Sequence, residues 1–129
     1  MARIMIVDDD PQIRSLVWMM LKRAGHIPLE AQDGETALEE IRKERPDLVL
    51  LDIMMPGMDG WEVCKRIKSN GLTRDIPVAM FTVKSAEEDE RKSFECGADA
   101  HLTKLLNMRE LLETIESLIK KATIKKSTL

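Results

Sequence analysis

Five residues of this 129-residue chain could act together on a charged oxygen-rich group: Asp8, Asp9, Asp52, Thr82 and Lys104. Asp8 and Asp9 follow the apolar run Ile4-Met5-Ile6-Val7, and Asp52 follows Leu48-Val49-Leu50-Leu51. Thr82 ends Pro77-Val78-Ala79-Met80-Phe81, and Lys104 ends Ala100-His101-Leu102-Thr103. Two carboxylates about 4 Å apart repel by about 4 kcal/mol at an effective dielectric of about 20. Three acids brought together therefore demand a cation, a shared proton or the Lys104 ammonium. Every ligand on offer is oxygen, which suits a hard divalent ion. Mg²⁺ keeps several waters and takes only one or two carboxylates, leaving room for a phosphoryl oxygen. With such a charge in place a carboxylate can attack phosphorus, while Lys104 and Thr82 hold the equatorial oxygens of the transferring group.

These residues are far apart in the chain, so only a fold can join them. The apolar runs have the length of strands buried on both faces. A weaker strand is predicted over residues 27–31. Between the strands the apolar residues recur at helical spacing. Ile13, Leu16, Val17, Met20, Leu21 and Ala24 make one apolar face, begun near Pro11, with Asp10 as its cap, and stopped by Gly25. Asp33-Gly34 opens a second helix, ended before Pro46, and a third, with Val63, Cys64 and Ile67, follows the turn Pro56-Gly57-Met58-Asp59-Gly60. Ser85-Ala86-Glu87-Glu88 and Asn107-Met108-Arg109-Glu110 read as capping boxes for the fourth and fifth helices. The order is β-α repeated five times. Helical crossovers make the strands parallel, so an α/β fold is expected, a doubly wound (βα)5 sheet of five parallel strands with helices on both faces. Ligands of such sheets bind beyond the carboxyl ends of the strands, where the five residues stand.

Composition agrees with one ordinary globular domain: 43% hydrophobic, 33% charged, net charge −3. That charge argues against direct nucleic-acid binding. No apolar stretch approaches the roughly 18 residues that cross a bilayer, and no signal-peptide pattern opens the chain, so no membrane contact and a cytoplasmic setting are expected. Cys64 and Cys96 form no metal or CxxC pattern and read as inert reduced thiols. Residues 120–129 carry Lys120, Lys121, Lys125 and Lys126 and no acid, so residues 123–129 are set apart as a basic tail from a domain over residues 1–122.

Val7-Asp8-Asp9-Asp10, the segment from Leu51-Asp52-Ile53-Met54 to Met58-Asp59-Gly60, Phe81-Thr82 and Thr103-Lys104 together resemble the response-regulator receiver domain, the CheY-like module of two-component signalling. The resemblance covers residues 3–122 and implies the strand order 2-1-3-4-5. It implies that Asp52 accepts a phosphoryl group from a sensor histidine kinase or phosphotransfer protein. Mg²⁺, with Mn²⁺ as an alternative, would be bound by Asp9, Asp52 and the backbone carbonyl of Met54, with Asp8 acting through a metal-bound water. Lys104 would pair with the acids and then with the phosphoryl oxygens. Thr82 would move to bond the phosphoryl group and start a switch, read by a downstream protein or a second copy at the face of helix 4, strand 5 and helix 5. Such a protein transfers a phosphoryl group to itself and turns over no external substrate, so it is not expected to be an enzyme.

Several positions depart from the family pattern. Leu105 replaces the usual proline after the lysine, and a trans peptide is expected there. Val83 replaces a small residue and is expected to crowd the mouth of the site. His101 replaces the switch aromatic of the last strand, and reads either as a rotamer switch or as an exposed edge residue. His26 has no partner in view. Met54 and Lys84, two residues after Asp52 and Thr82, cannot serve as hydrogen-bond donor and base toward an attacking water, so they are expected to lengthen the life of a phosphorylated state. An Asp-nucleophile phosphohydrolase would carry an acid where Met54 stands. A flavin carrier would carry a hydroxyl- and glycine-rich loop where Asp8-Asp9-Asp10 stands. A receiver reduced to an interaction module is opposed by the intact acid set.

Overall fold

The computed structural model describes residues 1–127. Its elements are β1 (Arg3–Val7), α1 (Pro11–Arg23), β2 (Ile27–Ala31), α2 (Gly34–Glu44), β3 (Leu48–Leu51), α3 (Gly60–Ser69), β4 (Val78–Thr82), α4 (Glu87–Glu95), β5 (Ala100–Thr103) and α5 (Met108–Ser127). The strands form one parallel sheet in the order β2-β1-β3-β4-β5. Both the predicted architecture and the order implied by the resemblance are observed.

Side chains of the central strands alternate between the two faces of the sheet, and helices cover both, so these strands are buried on both sides. Met5, Val7, Val49, Leu51, Val78 and Met80 pack on one face with Ala37 and Ile41 of α2 and Val63, Cys64 and Ile67 of α3. Ile4, Ile6, Leu48, Leu50, Ala79 and Phe81 pack on the other with Val17 and Leu21 of α1 and Leu111 and Ile115 of α5. Each Val, Leu, Ile, Met or Phe side chain among them contributes about 1.5–3 kcal/mol when taken from water, before the entropy of ordering it. The alternation locks register, and register brings the ends of β1, β3, β4 and β5 to one edge.

Helix ends follow local chemistry. Asp10 caps α1 through Gln12 N–H, Asp33 caps α2 through Thr36 N–H, and Asp59 caps α3 through Glu62 N–H. Asn107 and Glu110 bond reciprocally, Glu110 N–H to Asn107 Oδ1 at 2.8 Å and Asn107 Nδ2 to Glu110 Oε1 at 2.6 Å. The capping box expected at Ser85 is not formed. Helix α4 starts at Glu87 with Ala86 as cap and no side-chain cap bond, so Ser85 stands one residue too early. Four acids in the first turn, Glu87, Glu88, Asp89 and Glu90, favour that end through the helix dipole instead. Leu16, placed on the apolar face of α1, is exposed, and the buried stripe reduces to Val17 and Leu21. Helix α5 runs unbroken past residue 122, so the basic residues 123–127 continue it; Thr128 and Leu129 of the tail lie outside the described residues.

Candidate metal centre at the carboxyl edge of the sheet

Backbone bonds carry the sheet's order one residue beyond the strands. Asp8 N–H donates to the Ala31 carbonyl, Asp52 N–H to Val7 and Lys104 N–H to Thr82, at 3.2, 2.9 and 2.9 Å. Asp8, Asp9 and Asp52 thereby each offer a carboxylate oxygen, and these oxygens lie within 4.8 Å of one another. Asp8 and Asp52 are buried, while Asp9 is exposed. Lys104 reaches into the group, its Nζ 2.8 Å from Asp8 Oδ2 and 3.4 Å from Asp52 Oδ2. Asp8 Oδ1 accepts from Asp10 N–H at 2.9 Å, which orients the carboxylate. Thr82 is fully buried at the end of β4 and its Oγ1 accepts from Lys84 N–H at 3.1 Å, so its own proton remains available to a neighbour.

One lysine pairs with two of the three carboxylates. Burial pushes the Asp52 carboxyl above its ordinary range and the Asp8 charge pushes it further, against the pull of Lys104. Burial alone would lower the Lys104 ammonium, but the bond to Asp8 and the charges of Asp52 and Asp8 outweigh it and hold it above its ordinary value. Asp52 Oδ1 is buried without a hydrogen-bond partner. A buried carboxylate oxygen left unpaired is costly, and a cation satisfies it. The oxygen-only donor set and this orphaned atom fit a hard divalent ion.

The approach of α3 is part of the site. A Cβ on Gly60 would lie 2.2 Å from the Asp52 carbonyl oxygen, and Gly60 N–H donates to the Ile53 carbonyl at 2.9 Å. Only glycine lets the helix start pass so close behind the acid. The turn motif showed Gly60 in the sequence, but not this proximity.

The remaining expected positions surround this centre. Met54 is 52% exposed and forms, with Met55, Trp61 and Lys84, the wall of a hollow of about 350 Å³. The Lys84 ammonium lies 3.8 Å from Asp89 Oδ1 and 5.8 Å from the centroid of the Trp61 ring. Val83 is exposed and stands out into solvent. Leu105 is 90% exposed, and no peptide bond among the described residues is cis. The reading of His101 as an exposed edge residue does not hold, because it is half-buried and bonded at both nitrogens, Nδ1 to Ser93 Oγ and Nε2 to the Lys84 carbonyl, each at 2.8 Å. His26 also has partners that its sequence neighbourhood did not show. Its Nδ1 accepts from Ala2 N–H at 3.1 Å and its Nε2 lies 2.8 Å from Glu116 Oε2 on α5. Cys64 and Cys96 are free, and burial pushes the Cys64 thiol up to about 12, as an inert thiol requires.

Fold and rim define a class of protein: a doubly wound α/β domain that gathers acids, a hydroxyl and an ammonium at the carboxyl edge of its sheet. Comparison with known proteins narrows the class. The response regulator receiver domain profile matches residues 4–116. The phosphate regulon transcriptional regulatory protein PhoB of Escherichia coli K12 is 39% identical over 119 residues, covering 92% of this chain and 52% of that protein. The alkaline phosphatase synthesis transcriptional regulatory protein PhoP of Bacillus subtilis 168 is 37% identical over 122 residues, covering 95% and 50%. The crystal structure of a CheY-like response regulator receiver domain protein from Methanospirillum hungatei JF-1 superposes with a TM-score of 0.89 at 31% identity, covering 95% of this chain and 97% of that one. This chain thus spans about half the length of the curated relatives it matches. The chain belongs to the response-regulator receiver family. No helix among the described residues is long and apolar enough to cross a membrane.

Proposed function

We propose that this domain is a phosphoacceptor switch in which Asp52 takes a phosphoryl group from a phosphohistidine of a sensor kinase or phosphotransfer protein. An Asp52 oxygen attacks phosphorus, the P–N bond breaks, and the leaving imidazole nitrogen keeps the electron pair and takes a proton. The observation that carries this reading is the state of Asp52 itself: one oxygen faces Lys104, and the other is buried without a hydrogen-bond partner, in a carboxylate clustered with those of Asp8 and Asp9. Asp9, Asp52 and the Met54 carbonyl would hold Mg²⁺, or Mn²⁺ in its place, with Asp8 acting through water. The ion would offset the repulsion between nucleophile and phosphoryl oxygens. Lys104 would then shift its bonds from the carboxylates to the phosphoryl group, and Thr82 would donate its hydroxyl proton to the same group.

His101 is the residue through which a move of Thr82 would reach β5, and α4, β5 and α5 form the face a downstream protein or second copy would read. Phe94 on α4 and Leu105 after β5 are exposed apolar contacts available to that partner. The transcriptional-regulator names of the half-matching relatives support a role in signalling to gene control. The test is phosphorus NMR of the chain with acetyl phosphate. An acyl-phosphate signal on the protein should appear with Mg²⁺ and vanish with excess chelator; a signal that survives chelation contradicts the reading.

A further inference from the structure

Outside the acid pocket, side chains of α3, α4 and β5 form one hydrogen-bonded chain. Trp61 near the start of α3 places Nε1 3.0 Å from Ser93 Oγ. Ser93, fully buried on α4, places Oγ 2.8 Å from His101 Nδ1 and 3.2 Å from the carbonyl of Asp89. His101 on β5 places Nε2 2.8 Å from the carbonyl of Lys84. The Lys84 amide closes the series on Thr82 Oγ1 at 3.1 Å.

Both ends fix the direction of this chain. An indole N–H only donates and a carbonyl only accepts. His101 therefore carries a proton on Nε2, and Ser93 Oγ accepts from Trp61. The Ser93 proton has two acceptors in reach. With neutral His101 it goes to Nδ1. With the imidazolium, Nδ1–H donates to Oγ and the hydroxyl turns to the Asp89 carbonyl. Either way every buried polar group keeps a partner, and only one hydroxyl rotates. The ionic groups beside the chain do not compete for it: Lys84 pairs with Asp89, and the Lys92 ammonium lies over the Trp61 ring, 4.1 Å from its centroid.

We propose that Ser93 and Trp61 are positioning residues that hold His101 against the Lys84 carbonyl, so that a move of Thr82 is transmitted to α4 and α3. This rests on the phosphoacceptor reading above and extends it. If Thr82 turns to donate to a phosphoryl group, the Lys84 amide loses its acceptor and its peptide shifts. The next peptide, whose Lys84 carbonyl holds His101, shifts with it; His101 holds Ser93, and Ser93 holds the indole N–H. Trp61 is thereby the far end of a line that begins at the acid pocket.

The test follows the indole N–H resonance of Trp61 in the ¹⁵N-labelled chain as Mg²⁺ and beryllofluoride are added, with Trp18 on α1 as internal reference. Phosphorylation of Asp52 by acetyl phosphate is measured by mass on the same preparations. In the wild type the Trp61 resonance should shift and that of Trp18 should stay. Ser93→Ala and His101→Phe cut the line at different points, and each should lose most of the Trp61 response while Asp52 still gains its phosphoryl group. Ser93→Thr, which keeps the hydroxyl, should restore the response. The proposal is overturned if either cutting variant is phosphorylated and Trp61 responds as in the wild type. It is also overturned if the wild type is phosphorylated and Trp61 does not move. A wild type that takes no phosphoryl group on Asp52 refutes the phosphoacceptor reading itself, and this inference with it.

Discussion

Asp52 is held in a state its surroundings oppose. Its carboxyl is pushed up by burial and by Asp8, and one oxygen has no partner. A carboxylate raised in the fold contributes stability that is present below its unfolded value and is lost as pH rises through its folded value. Asp52→Asn removes that loss, so without metal at neutral pH the variant should be more stable than wild type. The gain should be about 1 kcal/mol, the lower end of the cost of an unpaired buried acceptor. It should shrink as pH falls through the carboxylate range and the wild-type acid takes a proton. Denaturant midpoints of both proteins across that range check the sign, and a less stable Asn variant at neutral pH contradicts it. Met54 and Lys84 bear on the lifetime of the proposed phosphorylated state. Met54→Asn with Lys84→Glu should shorten the phosphorylated state about tenfold, or about 1.4 kcal/mol of barrier. Because Lys84 turns to Asp89 and Trp61, most of that change should come from Met54→Asn alone. Decay of the acyl phosphate after donor removal measures it, and unchanged decay in the double variant refutes it. At this scale the acids, Thr82 and Lys104 were legible because each follows an apolar run. The bonds of His26 were not, because Glu116 lies 90 residues away. Nor were those of His101, because Ser93 and Lys84 meet it only once α4 is docked on β5.

Elements place these residues, and α3 does so most directly, through its close approach at Gly60. Gly60→Ala would drive a methyl group against the Asp52 carbonyl. Overpacking of this kind costs about 1–3 kcal/mol. The backbone that must yield carries Asp52, the proposed phosphoacceptor, so the variant should lose both stability and rate of phosphorylation. Thermal melting and the rate with acetyl phosphate check this, and a variant that is destabilised yet labels at the wild-type rate shows that the approach of α3 does not position Asp52. Strand and helix alternation was legible because doubly buried strands and amphipathic helices have different periods. Cap chemistry was legible where the boundary was sharp, at Asp10 and Asn107. It was not at Ser85, where a one-residue shift of the boundary removes the bond; the exposure of Leu16 was not legible either, because it depends on how far around α1 its neighbours reach.

At the scale of the whole molecule, the proposed cation site would be linked to folding. The acid set exists only in the folded chain, so an ion it binds stabilises the fold by mass action. Mg²⁺ at about 100 times its dissociation constant should add about 2.7 kcal/mol. Asp9→Ala should abolish that gain. Protons compete for the same carboxylates, and the raised Asp52 carboxyl means the gain should fade on acidification sooner than ordinary carboxylates would allow. Unfolding with and without Mg²⁺ at several pH values checks this, and an equal gain in Asp9→Ala contradicts it. The sheet order came from the resemblance rather than from periodicity, since no local pattern says which strands are neighbours, whereas the convergence of the rim followed from the repeated β-α order. The central claim, that this convergence makes Asp52 a phosphoacceptor, is tested most directly by intact-mass and peptide-level mass spectrometry after incubation with Mg²⁺ and acetyl phosphate, wild type beside Asp52→Asn. The account predicts one added phosphoryl group, located on Asp52, absent from the Asn variant and from samples with excess chelator. Labelling on another residue, or equal labelling of the Asn variant, would contradict it.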